Sequence, residues 1–519
     1  MADIVLTTLN AKFIHAAFGL RYLFANLGEL QSRALIAEFD INQRPLDIAE
    51  ALIAREPKII GFGIYIWNVT ETTEVIAAIR RVRPQIKIVL GGPEVSYETQ
   101  GQPIVELTDH VITGEADLKF AEVCQALLEA GEGLPKIIPA ALPDFSAIEL
   151  PYHFYTEADL AHRIIYVEAS RGCPFTCEFC LSSLDIPVRQ VPLETFLGEM
   201  QKLLDRGLKQ FKFVDRTFNL NVATSKAILE FFLARHAPGM FFHFEMIPDR
   251  LPAELRAVIA RFPPGALQFE VGIQTFNPEV GTLISRRQNY ERLADNFHFL
   301  RRETGVHIHA DLIVGLPGET LESFATGFDR LVALGPQEIQ VGILKRLRGT
   351  PIGRHDGEWQ MAYTAVPPYE ILQNKLLDFA TMQRLRRFAK YWDLVGNSGN
   401  FVATTPLIWS AEATGGQGNP ITPFYSFLRF SDLLYGQLGR TDTIALARLA
   451  EGLFEFLTSE RRQDKKSVAE TLWRDWQQAG RRDPPEFIRE FLPAETVIRA
   501  RSPKVSLPKR QARHLALEN

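Results

Sequence analysis

Cysteine is scarce in this chain, with four in 519 residues, which excludes a disulfide-stapled secreted fold and points to a reducing cytoplasm. No apolar run reaches the ~18–20 residues that span a bilayer, and the opening Met1-Ala-Asp-Ile-Val lacks the basic start of a signal peptide. The expectation is a cytoplasmic protein with no membrane partner. Neither sign of charge dominates: 57 Lys and Arg face 62 Asp and Glu, for a net charge of -5, so the chain as a whole is not a polyanion binder. Repeats and low-complexity tracts are missing as well. What is present is a hydrophobic fraction of 46% and a charged fraction of 23%, the composition of a globular protein with a sizeable core. The length is too great for one ordinary domain, and about three are expected at ~150 residues each.

The first stretch alternates β-like runs at residues 4–8, 34–38, 59–64, 86–90 and 111–112 with helical runs at 19–28, 46–55, 71–81 and 118–129. Strands separated by helices imply a doubly wound, flavodoxin-like α/β domain over residues 1–131, which binds ligands at the carboxyl ends of its strands. Pro135, Pro139, Pro143 and Pro151 break the pattern and mark a linker over 132–163. A second series follows over 164–350, with strands at 164–169, 210–214, 241–246, 267–272, 308–314 and 338–344. Six strand–helix units predict a partial (β/α)6 barrel with its chemistry at the C-terminal mouth of the strands.

After about residue 360 the strands stop, and residues 351–498 read as a helical C-terminal domain with helices at 370–391, 424–438, 443–457 and 467–478. Tyr363, Tyr391, Trp392, Trp409 and the Gly-rich loop 415–419 are candidates for a pocket or for aromatic packing. The tail 499–519 carries Arg499, Arg501, Lys504, Lys509, Arg510 and Arg513, with no acidic residue from Arg499 to Arg513. It reads as a solvated basic tail, with RNA binding as the alternative.

Three of the four cysteines fall in one loop after the first barrel strand, Ser170-Arg-Gly-Cys173-Pro-Phe-Thr-Cys177-Glu-Phe179-Cys180. Three thiolates at this spacing can hold one iron–sulfur cubane and leave one iron without a protein ligand. The alternative is zinc completed by a histidine, but closed zinc sites pair two ligand arms and no second arm is visible. Cys124 sits in the helical run 118–129 and reads as a small hydrophobe rather than a fourth ligand.

The loop resembles the signature of the radical S-adenosylmethionine (SAM) superfamily. The resemblance implies that Cys173, Cys177 and Cys180 hold a [4Fe–4S] cluster whose fourth iron is chelated by SAM, and that reductive cleavage of SAM yields a 5′-deoxyadenosyl radical. It also implies a flavodoxin- or ferredoxin-type electron donor. Phe179 matches the aromatic position beside the SAM adenine. The segment Glu270-Val-Gly-Ile-Gln274-Thr-Phe-Asn277 with Ile284-Ser-Arg286, and the segment Ala310-Asp311-Leu-Ile-Val-Gly-Leu-Pro-Gly-Glu319, resemble strand-end segments of oxygen-independent coproporphyrinogen oxidase and its relatives. By that likeness Gln274 contacts the SAM ribose, Arg286 the methionine carboxylate and Asp311 the ribose hydroxyls, while Glu245 meets the SAM ammonium. The Gly-Gly-Glu element common after the second strand is replaced by Phe213-Val-Asp215-Arg216. Asp215 is the substitute for the amino group, with a strand-end ion pair to Arg216 as the alternative.

A doubly wound domain ahead of such a barrel resembles the cobalamin-dependent (B12-binding) radical SAM proteins that carry a C-terminal helical domain of unknown function. The resemblance implies cobalamin near Gly63, Gly91 and Gly92, where strand-end glycines let a bulky ligand approach the backbone. His15 occupies the loop of a cobalt-ligating histidine, but Asp-x-His-x-x-Gly is not matched in Asn10-Ala-Lys-Phe-Ile-His15-Ala-Ala-Phe-Gly19. Loop packing is the other reading of His15. Methylthiotransferases of the superfamily carry a second cysteine triplet, which Cys124 alone cannot supply. The implied activity is methylation of an unactivated carbon of an unknown substrate. Ring formation, rearrangement, or an iron–sulfur redox sensor that binds RNA through the tail are the alternatives.

Overall fold

A computed structural model describes residues 2–129, 133–185, 187–410, 422–493 and 507–515. The loop 415–419 and Arg499, Arg501 and Lys504 lie outside the described residues. The chain divides into two compact units, one comprising Met1–Arg216, Lys345–Gly353 and Tyr363–Glu370, the other Thr217–Leu344, Arg354–Ala362 and Ile371–Asn519.

In the first unit, β1 (Ile4–Asn10), β2 (Ala34–Asp40), β3 (Ile59–Gly63), β4 (Lys87–Gly91), β5 (His110–Thr113) and β6 (Ile137–Pro139) form one sheet in the order β2-β1-β3-β4-β5-β6. Every pairing in it is parallel. The order of the first five is that of flavodoxin-like folds. All seven residues of β1 are buried, because helices cover both faces. Val5, Ile60 and Ile88 pack on one side with Ile48, Val75 and Ile79. Ile4, Ile59 and Val89 pack on the other with Leu20, Phe120 and Cys124. Burial lifts the Cys124 thiol to about 12, in keeping with its reading as a small hydrophobe.

The sixth strand corrects the sequence reading, which took 132–163 as linker throughout. Proline is tolerated on an edge strand, and β6 is held by Val111 N–H to the Lys136 carbonyl at 2.7 Å and Ala140 N–H to the Thr113 carbonyl at 2.9 Å. Further along the same unit β7 (Ile165–Val167) and β8 (Gln210–Phe213) pair in parallel, joined through the helix Leu193–Asp205.

In the second unit β9 (Phe241–Met246), β10 (Leu267–Gln274), β11 (His307–Val314) and β12 (Glu338–Ile343) run parallel in sequence order. Along β10 and β11 buried and half-buried residues alternate, so one face is apolar core and the other is polar. Register stacks that polar face into cross-strand rows, Glu245 beside Glu270, then His309, then Glu338, with Gly272 beside Asp311 in the next row.

The C-terminal helices are Phe379–Val395, Pro423–Leu438, Leu446–Glu455 and Lys465–Gln478. The first starts later than the apolar spacing implies. Ile371–Gln373 is extended instead, because the Leu344 carbonyl accepts from Ile371 N–H at 2.9 Å, and Asp378 caps the helix through Thr381 N–H. Ala362–Tyr363 is extended as well, so strands do not stop at 360. Tyr391 and Trp392 belong to a core, with the Trp392 ring 4.8 Å from both Phe328 and Phe427.

The described part of the basic tail is not a free solvated arm, although Lys509 is exposed. Helix Lys509–Leu515 packs on the second unit, where Arg510 meets Glu338 at 2.9 Å and Asp393 at 3.0 Å, and Gln511 bonds Gln268 at 2.6 Å. A buried carboxylate, Glu338, and an exposed one, Asp393, compensate the charge that the sequence leaves unbalanced. Among the described residues no helix is long and apolar enough to cross a membrane.

Candidate functional site

The cysteine loop leaves β7 through a two-residue antiparallel ladder, Ser170–Arg171 against Arg189–Gln190. Gly172 makes the turn at φ +96°, where a Cβ would lie 2.7 Å from the Asp185 carbonyl, so only glycine fits. Cys173 N–H donates to that same carbonyl at 3.0 Å, Cys180 N–H to the Cys177 carbonyl at 3.2 Å, and Ser183 Oγ to the Cys180 carbonyl at 2.6 Å. Cys173 and Cys177 are buried and Cys180 half-buried, and no disulfide joins any of the four cysteines.

No group of three His, Cys, Asp or Glu side chains among the described residues converges on a single-ion site. A cubane asks for something else. Each thiolate would bind its own iron, so donors for a cluster need not meet at a point. Three soft donors on one laced loop fit that group.

Asp215 is placed differently from its expected role. It ends the turn after β8, 2% exposed. Its Oδ2 accepts from Ala169 N–H at 3.0 Å and its Oδ1 from Ser170 Oγ at 2.6 Å. Both oxygens hold the entry to the cysteine loop, and Arg216 beside it is exposed. Burial lifts the Asp215 carboxyl to about 7, against the pull of those hydrogen bonds.

A charge network missed in the sequence secures the same loop. Arg171 Nη1 lies 2.7 Å from Glu115 and 3.1 Å from Asp117, and its Nη2 lies 2.6 Å from Glu168. Tyr22 and Phe145 sit against its guanidinium, with ring centroids at 4.9 and 5.1 Å. Arg189 also reaches Glu115, and contacts Asp185 at 3.1 Å. Glu115, in the turn after β5, thereby ties the doubly wound sheet to the cysteine loop. The only sequence signal was an arginine two residues before Cys173.

In the second unit Gln274 ends β10 with φ +72°, and its amide folds over Gly272, where a Cβ would lie 2.4 Å from Nε2. Arg286 donates to the Gly272 carbonyl and Gln288 to the Ile273 carbonyl at 2.7 Å. Asp311 faces the same row as Gly272. Its Oδ1 is buried with no hydrogen-bond partner among the described residues, an acceptor that suits a sugar hydroxyl. Glu245 is half-buried on the polar face. Gln274 and Glu245 near strand ends, Asp311 within β11 and Arg286 in the loop beyond β10 are thus polar groups on one sheet and its loop, and they fit a polar nucleoside ligand such as SAM. Phe179 lies in the cysteine loop, half-buried.

At the carboxyl edge of the first sheet, Thr8 Oγ donates to the Gly63 carbonyl at 2.7 Å and Asn68 to the same carbonyl at 3.1 Å. A Cβ at Gly91 would meet nothing closer than 3.8 Å, whereas one at Gly92 would strike the Ile64 carbonyl at 2.4 Å. Gly92 is therefore required by the protein's own backbone, while a Cβ at Gly91 would make only an ordinary contact with the Ile112 carbonyl. Trp67, 44% exposed, stacks on Tyr65 at 4.4 Å and 6° beside this edge. A flat apolar surface next to open backbone fits a large planar cofactor.

His15 Nδ1 contacts the Tyr166 hydroxyl at 2.6 Å, and its backbone bridges to Ile164. Burial keeps the imidazole below its ordinary range, helped by Lys212 and Lys12. A neutral ring held through Nδ1 leaves Nε2 as the candidate ligand nitrogen. The orienting partner is a tyrosine 151 residues away rather than a nearby aspartate.

With this geometry in place, the comparisons give the class. Residues 4–124 match the B12 binding domain, 167–331 the Radical SAM superfamily and 357–500 a protein of unknown function, DUF4080. The chain therefore carries a B12-binding domain, a radical SAM domain and a DUF4080 region, in that order. Among curated relatives it is similar to the uncharacterized methyltransferase PH0819 of Pyrococcus horikoshii, 24% identical over 59% of this chain and 70% of that one. It is also similar to the cobalamin-dependent radical SAM methyltransferase TokK of Streptomyces tokunonensis, 22% identical over 62% of this chain and 51% of TokK. The fold resembles radical SAM methyltransferase TsrM from Kitasatospora setae, solved with cobalamin and [4Fe–4S] cluster bound, at a TM-score of 0.56, 19% identity and coverage of 71% of this chain and 82% of that one. OxsB with aqua-cobalamin bound matches at 0.61, with 12% identity, 99% of this chain and 83% of that one.

Proposed function

We propose that this protein is a cobalamin-dependent radical SAM enzyme that methylates an unactivated carbon of an as yet unidentified substrate. The observation that carries the reading is the laced loop with three thiols, placed after the first strand of a radical SAM domain and tied by Glu115 to a B12-binding sheet. When bound, the cluster and SAM supply a 5′-deoxyadenosyl radical and cobalamin supplies the methyl group.

The chain's own part is to hold, orient and exclude water. Cys173, Cys177 and Cys180 hold the cluster, and Asp215 fixes the loop entry through Ala169 and Ser170. Phe179 shields the cluster side and packs near the adenine. In the second unit Asp311 accepts from the ribose hydroxyls, Gln274 contacts the ribose, Arg286 binds the methionine carboxylate and Glu245 meets the ammonium. Gly63 and Gly91, with the Tyr65–Trp67 stack, form the corrin side of the first sheet. His15 Nε2 is the nitrogen that would meet cobalt. A reducing cytoplasm suits unpaired thiols of this kind, and a flavodoxin- or ferredoxin-type protein suits as electron donor.

The experiment is anaerobic reconstitution with iron, sulfide, cobalamin, SAM and a low-potential reductant. Release of 5′-deoxyadenosine and a corrinoid absorption band that survives gel filtration are expected. Zinc in place of iron and sulfide in oxygen-protected protein would sink the reading. Asp311→Ala should weaken SAM binding by ~1–3 kcal/mol, the worth of a hydrogen bond to a charged group, with cluster content unchanged.

A further inference from the structure

The polar face of the second unit holds more charge than the SAM contacts use. His309 lies between two carboxylates on its own sheet: Nε2 is 3.4 Å from Asp311 Oδ1, and Nδ1 is 3.8 Å from Glu338 Oε2. Glu338 is almost fully buried, with its oxygens divided between His307 Nε2 at 2.9 Å and Arg510 Nη1 at 2.9 Å. On the other side His309 is in register with Glu270, which His243 holds at 2.9 Å.

Arg510 belongs to the helix Lys509–Leu515, whose seat is specific. Its Gln511 bonds Gln268, its His514 ring lies 5.3 Å from His307, and Leu515 fills the space over Gly265, where a Cβ would come within 2.3 Å of it. A continuous line therefore runs from this helix through Glu338 and His309 to Asp311.

The line solves a problem at Asp311. A buried carboxylate with an open acceptor tends to take up a proton or to turn toward a donor, and either change spoils it as a ribose acceptor. Burial and, to a lesser extent, Glu270 push the Asp311 carboxyl above its ordinary range, and His309 and Arg286 oppose that rise without reversing it. Burial also pulls His309 down, but Asp311, Glu338 and Glu270 lift it to about 9. These carboxylates favour the cationic form of His309, and its 3.4 Å contact with Asp311 lacks hydrogen-bond geometry, which leaves the buried Oδ1 without a hydrogen-bond partner.

We propose that His309 is the positioning residue that holds Asp311 ready for the SAM ribose, and that Arg510 of the C-terminal helix braces it from outside through Glu338. The inference rests on the assignment of Asp311 to the ribose made above. Neither His309 nor Arg510 is expected to touch SAM.

The test is a double-mutant cycle on full-length reconstituted protein, with SAM binding measured anaerobically alongside iron and sulfide content and thermal midpoint. His309→Gln should weaken SAM about ten-fold, and the same change in an Asp311→Asn background should add almost nothing, as residues acting as a unit do. The loss should shrink when S-adenosylhomocysteine is replaced by its 2′-deoxy analogue, a split that general loosening of the fold would not produce. Arg510→Gln, a milder change at a partly exposed residue, should weaken SAM about two- to three-fold through the same cycle. If His309→Gln destabilises the protein too far to assay, the Arg510→Gln cycle decides. Additive losses, or wild-type SAM affinity in His309→Gln when Asp311→Asn is weakened, overturn the positioning role alone. Wild-type affinity in Asp311→Asn removes Asp311 from the ribose and takes both the assignment and this inference with it.

Discussion

The two parallel sheets of this protein use their strands in opposite ways. In the doubly wound sheet helices cover both faces, so strands such as β1 and β3 are apolar through most of their length, and polar function is left to the turns at their carboxyl ends. In β9–β12 only one face is core. The other carries His243, Glu245, Glu270, His309, Asp311 and Glu338 along the strands themselves. Covering a sheet twice separates stability from chemistry, whereas leaving one face polar makes the same residues serve both.

That contrast can be broken by substitution. Cys177→Ala lies in a strand-end loop and should abolish cluster assembly and SAM cleavage while the thermal midpoint hardly moves. Iron and sulfide analysis with a 5′-deoxyadenosine assay checks it. Glu338→Gln lies on the inner face, and should cost roughly 1–3 kcal/mol of stability because it removes the buried charge that Arg510 and His309 both meet, and should weaken SAM binding too. A loss of activity without loss of stability there would erase the difference between the sheets.

Acid sharpens the same comparison through the signs of two carboxyl shifts. Asp215 titrates near 7 in the fold, above its ordinary 3.8. The folded state therefore binds the extra proton, and the stabilisation is complete below about pH 4 and is lost as pH rises to 7. Glu338 is the reverse. Burial pushes it up, but His307, His309 and Arg510 hold it near 2 against an ordinary 4.5, so its contribution is present above 4.5 and lost as pH falls toward 2. Urea midpoints across pH 3–8 should show a falling slope that Asp215→Asn removes, worth as much as about 4 kcal/mol at 1.36 per pKa unit. Glu338→Gln should remove the opposite slope at low pH.

A smaller effect separates two neighbouring glycines. Gly92→Ala forces a side chain at φ +106° against the Ile64 carbonyl and should cost about 1–3 kcal/mol in urea denaturation. Gly91→Ala should leave stability nearly unchanged, because its Cβ would make only an ordinary contact with the Ile112 carbonyl at 3.8 Å, and should reduce cobalamin retention.

How much could be read in advance follows from the same division. The cysteine triplet, Gln274 and Arg286 lie at or after strand ends and Asp311 in a recognisable segment within β11, where composition and spacing are informative, and the alternation of strands and helices gave both sheets. His243, Glu270 and His309, within their strands, and Glu338, at the start of β12, were not singled out, because a polar residue in a strand has no local signature and its partners are set by register. Asp215 was visible as a strand-end acid, but its commitment to Ala169 and Ser170 depends on a turn 45 residues earlier. Strand β6 was hidden by its prolines. The helix Lys509–Leu515 was obscured by positive charge whose compensation by Glu338 and Asp393 exists only after folding.

The network around Arg171 also bears on redox poise. Glu115, Asp117, Glu168 and Asp185 outnumber the guanidinium groups of Arg171 and Arg189 that they surround. An electron arriving at a cluster on this loop enters a neighbourhood already rich in negative charge, and such surroundings lower the reduction potential. The loop is thereby suited to a strongly reducing couple and demands an equally strong donor. Glu115→Gln should move the midpoint upward in an anaerobic potentiometric titration, and a cluster easier to reduce would be a weaker source of electrons for a sulfonium.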